Sequence, residues 1–401
     1  MSINNIASLE LRDIVLGERV EDSRAASFLR HYGFQNLKLA QKNLRALAGS
    51  TAQGELFLRV LPLLLEILRD SPDPDAGLNN LERFAQACYG KMNFYSYLVR
   101  NPASLEVLVG LFSSSQAFSE TLIRNPEYFY WLTSLRGKEG FRSKDELRRE
   151  LFPELDTLHT FQRRLDLLRR FKRKEMLLIG YLDLVRSAPL ASVAQAISGL
   201  AEVEIQASLR IAHQEMGQKY GSSPPEAEDW ERMGFAIIAL GKLGGEELNY
   251  SSDIDIIFVY TPEGLQEGIN PSEYYHKLAE LVVYILKENT GEGYVFRVDT
   301  RLRPEGRFGP LVKSLSAYQN YYQSTGGTWE RQALIKARPV AGNIGLGRAF
   351  IEGITPFVYQ RFLRFSEINE IKRLKRKMEG LVEKRGEAHL EVKSGYGGIR
   401  D

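Results

Sequence analysis

The stretch GKLGGEELNYSSDIDIIFVY, residues 241–260, decides how this chain is read. Two glycines and a polar segment lead into an apolar run that carries Asp253 and Asp255. The run is β-branched and aromatic, which predicts a strand. Strand side chains alternate faces, so the two aspartates share one face while Ile254 and Ile256 point into the core. Two carboxylates side by side repel, and burying them unpaired is costly. A positive group must stand between them. Lys or Arg would serve. Hard oxygen ligands at this spacing also suit Mg2+, which accepts one or two carboxylates plus waters and phosphate oxygens. Upstream, Gly244 and Gly245 let the backbone approach a phosphate and aim N–H groups at it.

The neighbouring sequence extends this reading. FAIIAL (235–240) predicts another strand, and YVFRVDTRLRP (294–304) a third, ended by Pro304. In that third strand Asp299, Arg301 and Arg303 share a face. One acid for metal and two guanidiniums for phosphate suit phosphoryl or nucleotidyl transfer. Asp253, Asp255 and Asp299 are expected to converge on one face of a small mixed sheet confined to 233–312. The bland alternative is a set of structural carboxylates paired with Arg301 or Arg303. GKLGG is not a Walker P-loop, because Ala236 and Leu243 stand where Gly and Ser or Thr are needed, and no GxGxxG opens a helix here.

The rest of the chain reads as helices. RVLPLLLEILRDSPDPD (59–75) is an apolar helix stopped by a Pro-Asp-Pro turn. LVRNP (98–102) and LIRNP (122–126) begin two similar helical hairpins, with each Asn expected to cap the next helix and each Pro at its first position. Residues 157–187 predict one long amphipathic helix. Its basic cluster at 163–174 reads as a solvated face, or as a docking surface for an acidic partner. GSSPPEAED (221–229) breaks the composition. Beyond it PSEYYHKLAELVVYILKEN (271–289) predicts a helix, 314–342 returns to helix, and the tail from 344 is helical with a KRLKRK run at 372–377. The fold class is therefore mainly α with an α/β core. A helical leader (1–225), a small sheet-bearing domain (226–343) and a helical tail (344–401) make up the chain.

Composition excludes several classes. The 401 residues are 43% hydrophobic with a net charge of +2, too balanced to make nucleic acid the default partner. Cys88 is the one cysteine, and the five histidines are scattered, so neither a disulfide nor a cysteine zinc site is available. No apolar run reaches the ~18 residues of a membrane span. MSINNIASLELRDIVLG lacks the basic start of a signal peptide, which points to the cytoplasm.

Gly244-Gly245 followed by Asp253-x-Asp255 resembles the DNA-polymerase-β-type nucleotidyltransferase superfamily. The strings ALGKLGGEELNYSSDIDIIFVY, FRVDTRLRPEGRFGPLV, YYQSTGGTWERQALIKARPVAG and GGIRD together resemble the glutamine synthetase adenylyltransferase family. That resemblance covers nearly the whole chain from residue 75. It implies one of two tandem nucleotidyltransferase domains, with the chain ending at Asp401 inside the GGIRD motif. Phe308 and Gly326-Gly327 depart from the family pattern. The resemblance implies Mg2+ on Asp253, Asp255 and Asp299, with Gly244, Gly245 and Ser252 lining the nucleotide phosphates. Arg301, Arg303, Lys336 and Arg338 follow as phosphate contacts. It implies glutamine synthetase as partner, together with a PII-type nitrogen signal protein. Asn249 and Ser251 resemble the family's adenylyl-removing half, which uses phosphate and releases ADP. ATP-dependent adenylylation, an RNA-directed polymerase-β-type enzyme and a non-catalytic docking module stay open.

Overall fold

The computed structural model describes residues 23–49, 51–135, 140–220, 230–263, 265, 267–362 and 364–384. From Ser23 to Tyr220 the described elements are all helices. They are α1 (Ser23–His31), α2 (Leu37–Ala48), α3 (Thr51–Arg69), α4 (Pro74–Ala87), α5 (Lys91–Arg100), α6 (Ser104–Ser114), α7 (Gln116–Arg124), α8 (Glu127–Ser134), α9 (Lys144–Thr157), α10 (Phe161–Leu184) and α11 (Leu190–Tyr220). Then come β1 (Phe235–Leu240), α12 (Gly241–Gly244), β2 (Ile254–Tyr260), α13 (Pro271–Lys287), β3 (Val298–Asp299), β4 (Val312–Ser314) and α14 (Leu315–Ser324). The last elements are α15 (Thr328–Leu334), β5 (Arg338–Gly342), α16 (Ile344–Val358) and α17 (Phe365–Lys384). The chain is thus mainly α with a small mixed sheet, as its sequence predicts. The 221–229 segment and GGIRD, with Asp401, lie outside the described residues.

Two compact units form. One comprises Met1–Ser143 and Arg170–Ile197, the other Lys144–Arg169 and Ser198–Asp401. In the first, Phe84 is fully buried, and its ring meets Phe94, Phe112 and Phe129 at centroid distances of 5.4, 5.6 and 5.7 Å. The Pro-Asp-Pro turn behaves as read: Asp73 accepts from the Ala76 N–H at 2.9 Å, and Pro74 opens α4. The two Asn-Pro pairs act differently. Asn101 and Asn125 close the preceding helices, their side-chain amides donating to the Tyr97 and Thr121 carbonyls at 3.1 and 2.8 Å. Carbonyls at a helix end lack intrahelical partners, and a short amide side chain reaches back to one easily.

The predicted helix 157–187 forms as one continuous helix, α10, over Phe161–Leu184, with a short gap at its start. α9 stops at Thr157 and α10 starts at Phe161, with Arg164 Nε donating to the Leu158 carbonyl at 2.9 Å. The basic cluster is not a uniform solvated face. In the first unit Arg173 donates to Asn125 and Lys174 stands 4.5 Å over the Trp131 ring. In the second unit Arg169 is 1% exposed. Its guanidinium donates to the carbonyls of Leu165, Ile285, Glu288 and Gly293. Burial presses its pKa down, yet arginine stays charged, so these carbonyls replace water around the cation.

The second unit holds the five-stranded sheet, ordered β3-β2-β1-β5 with β4 also pairing β2. β1 runs antiparallel to β2 and β5, whereas β3 and β4 run parallel to β2. All six residues of β1 are buried. Such a continuous apolar run is what a strand covered on both faces requires. Ala236, Ile238, Leu240, Ile257 and Val259 pack with Tyr318 of α14 and Phe350 and Ile354 of α16. Elsewhere Phe235 stacks on Phe258 and on Tyr275 of α13, at 5.8 and 5.3 Å. The sheet is not confined to 233–312, because β5 falls inside the stretch read as helix. RPVAG contains Pro339 and Gly342, which disfavour a helix, and β5 pairs only with β1, an edge position where Pro is tolerated.

His213 of α11 is buried edge-on against Trp230, 6.2 Å between ring centroids, and burial lowers its pKa from 6.5 to about 4. Between those values the unfolded imidazole binds a proton and the folded one does not. Stability should therefore fall as pH drops from 6.5 towards 4, by at most about 1.4 kcal/mol per pH unit from this group. Denaturant midpoints measured from pH 7 to pH 4 should show a shallower acid limb in His213→Phe than in the parent. Superimposable limbs would remove His213 as the cause.

Candidate active site

The site is built where β1 and β3 end and β2 begins. β2 begins at Ile254, so Asp255 is its second residue and Asp253 precedes it. Asp255 pairs in register with Leu240 of β1 and with Asp299 of β3. In-register neighbours point to the same face, so Asp255 and Asp299 stand side by side. By parity Asp255 continues the face of Ile257 and Val259, at its polar end.

Two arginines answer this charge. Arg301 donates to both carboxylate oxygens of Asp299, Nε at 3.0 and 3.1 Å and Nη2 at 2.5 Å, and its backbone N–H adds a bond at 2.8 Å. The Arg301 guanidinium holds the Asp299 carboxyl below the usual carboxylate range. Asp299 in turn raises Arg301, and Asp253 and Asp255 raise it further. One guanidinium thus lies in the field of all three carboxylates. Arg297 donates to Asp253 Oδ1 at 2.5 Å and to the Ser251 carbonyl at 2.6 Å, tying the approach to β2 onto β3. Among the described residues, no three His, Cys, Asp or Glu side chains are gathered as metal ligands. The acids are drawn towards Arg297 and Arg301 instead.

The arginines diverge from the sequence reading because the predicted third strand is short. β3 ends at Asp299, and 300–304 turn, so Arg301 and Arg303 do not share a strand face with Asp299. Pro304 and Gly306, the latter at φ 61°, belong to this turn and to the helical turn Gly306–Phe308. Arg303 is buried, and its guanidinium donates to the carbonyls of Thr300, Gly309 and Pro310. It shapes the loop from inside. Arg301 is exposed, with 73% of its side chain accessible, and can reach a ligand.

The glycine segment is a four-residue helix, α12, with Gly245 at its end. Gly241 sits at φ 54°, and a β-carbon there would lie 2.6 Å from Asp255 Oδ2. Its bare α-carbon makes room for that carboxylate. Gly244 lacks space for another reason: a β-carbon would meet the Lys336 carbonyl oxygen at 2.0 Å. A β-carbon at Gly245 would meet side chains alone, Lys336 Cδ at 2.8 Å and the Glu247 carboxylate at 3.2 Å. Ser252 donates to Asn249 Oδ1 at 2.6 Å, and Lys242 Nζ lies 3.4 Å from its hydroxyl. Lys336 pairs with Glu247 at 2.5 Å on the surface. Arg338 points inward, donating to the Leu243 and Gly244 carbonyls at 3.1 and 3.2 Å and to buried Glu202 at 2.7 Å. Gly241 and Arg297 were missed in the sequence. The alternation Arg297-x-Asp299-x-Arg301 was the signal for the second. No signal marked Gly241 before the register of β2 was known.

Carboxylate oxygens are the donor type that suits Mg2+, but Asp253 and Asp299 are paired with Arg297 and Arg301 rather than gathered with Asp255 as a ligand set. Fold and site together define a helix-rich chain with an acidic centre at the end of a small mixed sheet.

Residues 105–353 match the glutamate-ammonia ligase adenylyltransferase family, and the chain belongs to that family. Among its curated relatives is a bifunctional glutamine synthetase adenylyltransferase/adenylyl-removing enzyme of Nitrosococcus oceani, 36% identical over 80% of this chain and 33% of the relative. The enzymes of the same name from Thioalkalivibrio sulfidiphilus and Streptomyces avermitilis are 32% and 33% identical. They match over 98% and 94% of this chain, and 42% and 36% of their own lengths. The chain spans between a third and about two-fifths of the length of these relatives. No described helix is long and apolar enough to cross a membrane.

The two central glycines should respond differently to substitution. Gly244→Ala drives a β-carbon into backbone and should cost about 1–3 kcal/mol. Gly245→Ala meets a flexible side chain and should stay within about 0.5 kcal/mol. Urea unfolding of both variants checks this, and equal losses would refute the backbone contact at Gly244.

Proposed function

We propose that this chain carries out Mg2+-dependent nucleotidyl transfer on glutamine synthetase, in the direction that removes AMP from its adenylylated tyrosine. The observation that carries the reading is one exposed guanidinium, Arg301, in the field of Asp253, Asp255 and Asp299, with the Asp255 carboxylate seated against the bare α-carbon of Gly241. Asp253, Asp255 and Asp299 would hold Mg2+, which when bound neutralises charge on the phosphoryl oxygens. The names of the relatives supply both the partner protein and the two directions of transfer.

In phosphorolysis an oxygen of hydrogen phosphate attacks the phosphorus of the AMP group. The bond from that phosphorus to the tyrosine oxygen breaks. The proton of hydrogen phosphate balances the tyrosine hydroxyl, and ADP leaves. The chain's own residues bind and orient. Gly244, Gly245 and Ser252 border the space for the nucleotide phosphates. Arg301 and Lys336, both exposed, are the cations we assign to the incoming phosphate. The Lys336–Glu247 pair is a surface ion pair of small worth, so Lys336 can exchange partners. Arg303 and Arg338 support the loops rather than touch phosphate. The direction rests on Asn249 and Ser251, the wording that resembles the adenylyl-removing half. We assign residues 226–343 to the nucleotidyltransferase domain and 344–401 to a helical tail. The helical region before residue 225 we assign to holding glutamine synthetase and a PII-type signal protein, in the cytoplasm.

Incubation with adenylylated glutamine synthetase, Mg2+ and phosphate should release ADP. Radiolabelled ATP with the unmodified partner should leave it unlabelled, and substantial labelling would reverse the assignment of direction. Asp253→Asn and Asp255→Asn should each lower ADP release by about a thousandfold or more while leaving the circular dichroism spectrum unchanged. Near-normal turnover in either variant would end the carboxylate reading.

A further inference from the structure

Helix α11 buries several polar residues, Glu204, Ser208 and His213 among them, and three others recur on it at a spacing of four: Ser198, Glu202 and Gln206. Residues at i, i+4 and i+8 lie on one face of a helix. All three are buried, at 0, 4 and 8% exposure. Each reaches a different part of the scaffold around the acidic centre. Ser198 Oγ accepts from the Leu248 N–H at 3.2 Å, just after the glycine turn. Glu202 accepts from Arg338 at 2.7 Å and from Lys144 Nζ of α9 at 2.6 Å. Gln206 Oε1 accepts from the Gly342 N–H at 3.0 Å, at the far end of β5.

Glu202 is the centre of this stripe. Its carboxylate, almost wholly buried, is neutralised by two cations from two other elements. Arg338 also donates to the Leu243 and Gly244 carbonyls. Glu246, which follows the glycines at φ 57°, lies 3.5 Å from Lys144 and 3.7 Å from Arg338. Four alternating charges therefore surround the glycine turn. A buried carboxylate stripped of such partners is strongly destabilised, so the arrangement allows the turn few alternatives.

We infer that the Ser198–Glu202–Gln206 stripe is a positioning device, with Glu202, acting through Arg338, setting the turn 241–248 and hence the space beside Asp255 in which substrate is held. The inference rests on the functional reading above only for its kinetic arm. None of the three stripe residues is placed against substrate.

Glu202→Gln keeps the shape and one acceptor but removes the charge. Hydrogen exchange of the full chain should quicken about tenfold or more at the amides of Gly245, Glu246, Glu247 and Leu248, with β1 and β2 unchanged. In the release of ADP from adenylylated glutamine synthetase, kcat per folded molecule should fall about ten- to hundredfold with KM for the protein substrate unchanged. Glu202→Asp should recover part of the loss. Combining Glu202→Gln with Arg338→Gln should cost little more than the worse single change, because the two act as one unit. Unchanged exchange at 245–248 would overturn the inference. So would quickened exchange with unaltered kcat, or fully additive losses. If the parent chain releases no ADP, the functional reading fails, and exchange at 245–248 still decides whether Glu202 holds the turn.

Discussion

Two like charges placed side by side on adjacent strands constrain everything around them. Asp255 and Asp299 are register partners, and β2 is otherwise an apolar strand in the middle of a buried sheet. Close carboxylates are tolerated only where water, a cation or oriented donors compensate them. The sheet meets this condition by ending there. β3 has two residues, α12 replaces any continuation of β1, and the acids occupy the open rim. Asp253, one residue before the strand, adds a third charge and is met by Arg297. The rim is then a place where a cationic group is favoured whatever its identity, the physical precondition for handling phosphates.

The glycines serve that rim in distinct ways. Gly241 yields space to a carboxylate, and Gly244 yields space to a backbone carbonyl of the segment entering β5. The second contact brings two distant parts of the chain against each other. Arg338 then fastens them, since it belongs to β5 and donates to the carbonyls of the turn. Arg303 does the same for the loop after β3, and Arg169 for the end of α13 and the turn before β3. Each guanidinium presents several donors in a rigid plane, so one side chain can satisfy carbonyls from separate segments.

Much of this was legible in residue order, and the exceptions have physical causes. β1 matched its predicted bounds and β2 lies inside the apolar run read as a strand, because β-branched runs flanked by Gly and Ser permit little else. The Asp253-x-Asp255 pair stood out because charge interrupts an apolar run. Asp73 and Asn270, each a short polar side chain before Pro, cap the helices they precede, which the sequence reading did not assign. β5 was hidden because RPVAG is short and follows a helix with no polar break. Arg301 and Arg303 were placed on one strand face because alternation was assumed to continue past Asp299. The turn was set instead by Arg303 folding inward onto the carbonyls of Thr300, Gly309 and Pro310, a loop closure that strand alternation does not encode. Asn101 and Asn125 were assigned to the wrong helix ends because the same amide can accept forwards or donate backwards. The spacing of Ser198, Glu202 and Gln206 was visible, but a polar stripe on a buried helix acquires meaning only when its partners are known.

The order of strands sets a timetable for synthesis. β1 lies between β2, which follows almost at once, and β5, which ends at Gly342. Roughly 100 residues are made after β1 before its second edge can be covered, about 5–20 s at ordinary elongation rates. Throughout that interval Phe235–Leu240, apolar on both sides, presents an unpaired backbone edge of the kind that recruits foreign strands. The nascent chain is therefore adhesive between the synthesis of β1 and that of β5. Whatever shields β1 then, whether the ribosome, a chaperone or the already finished helices, bears on how much of this protein a cell recovers.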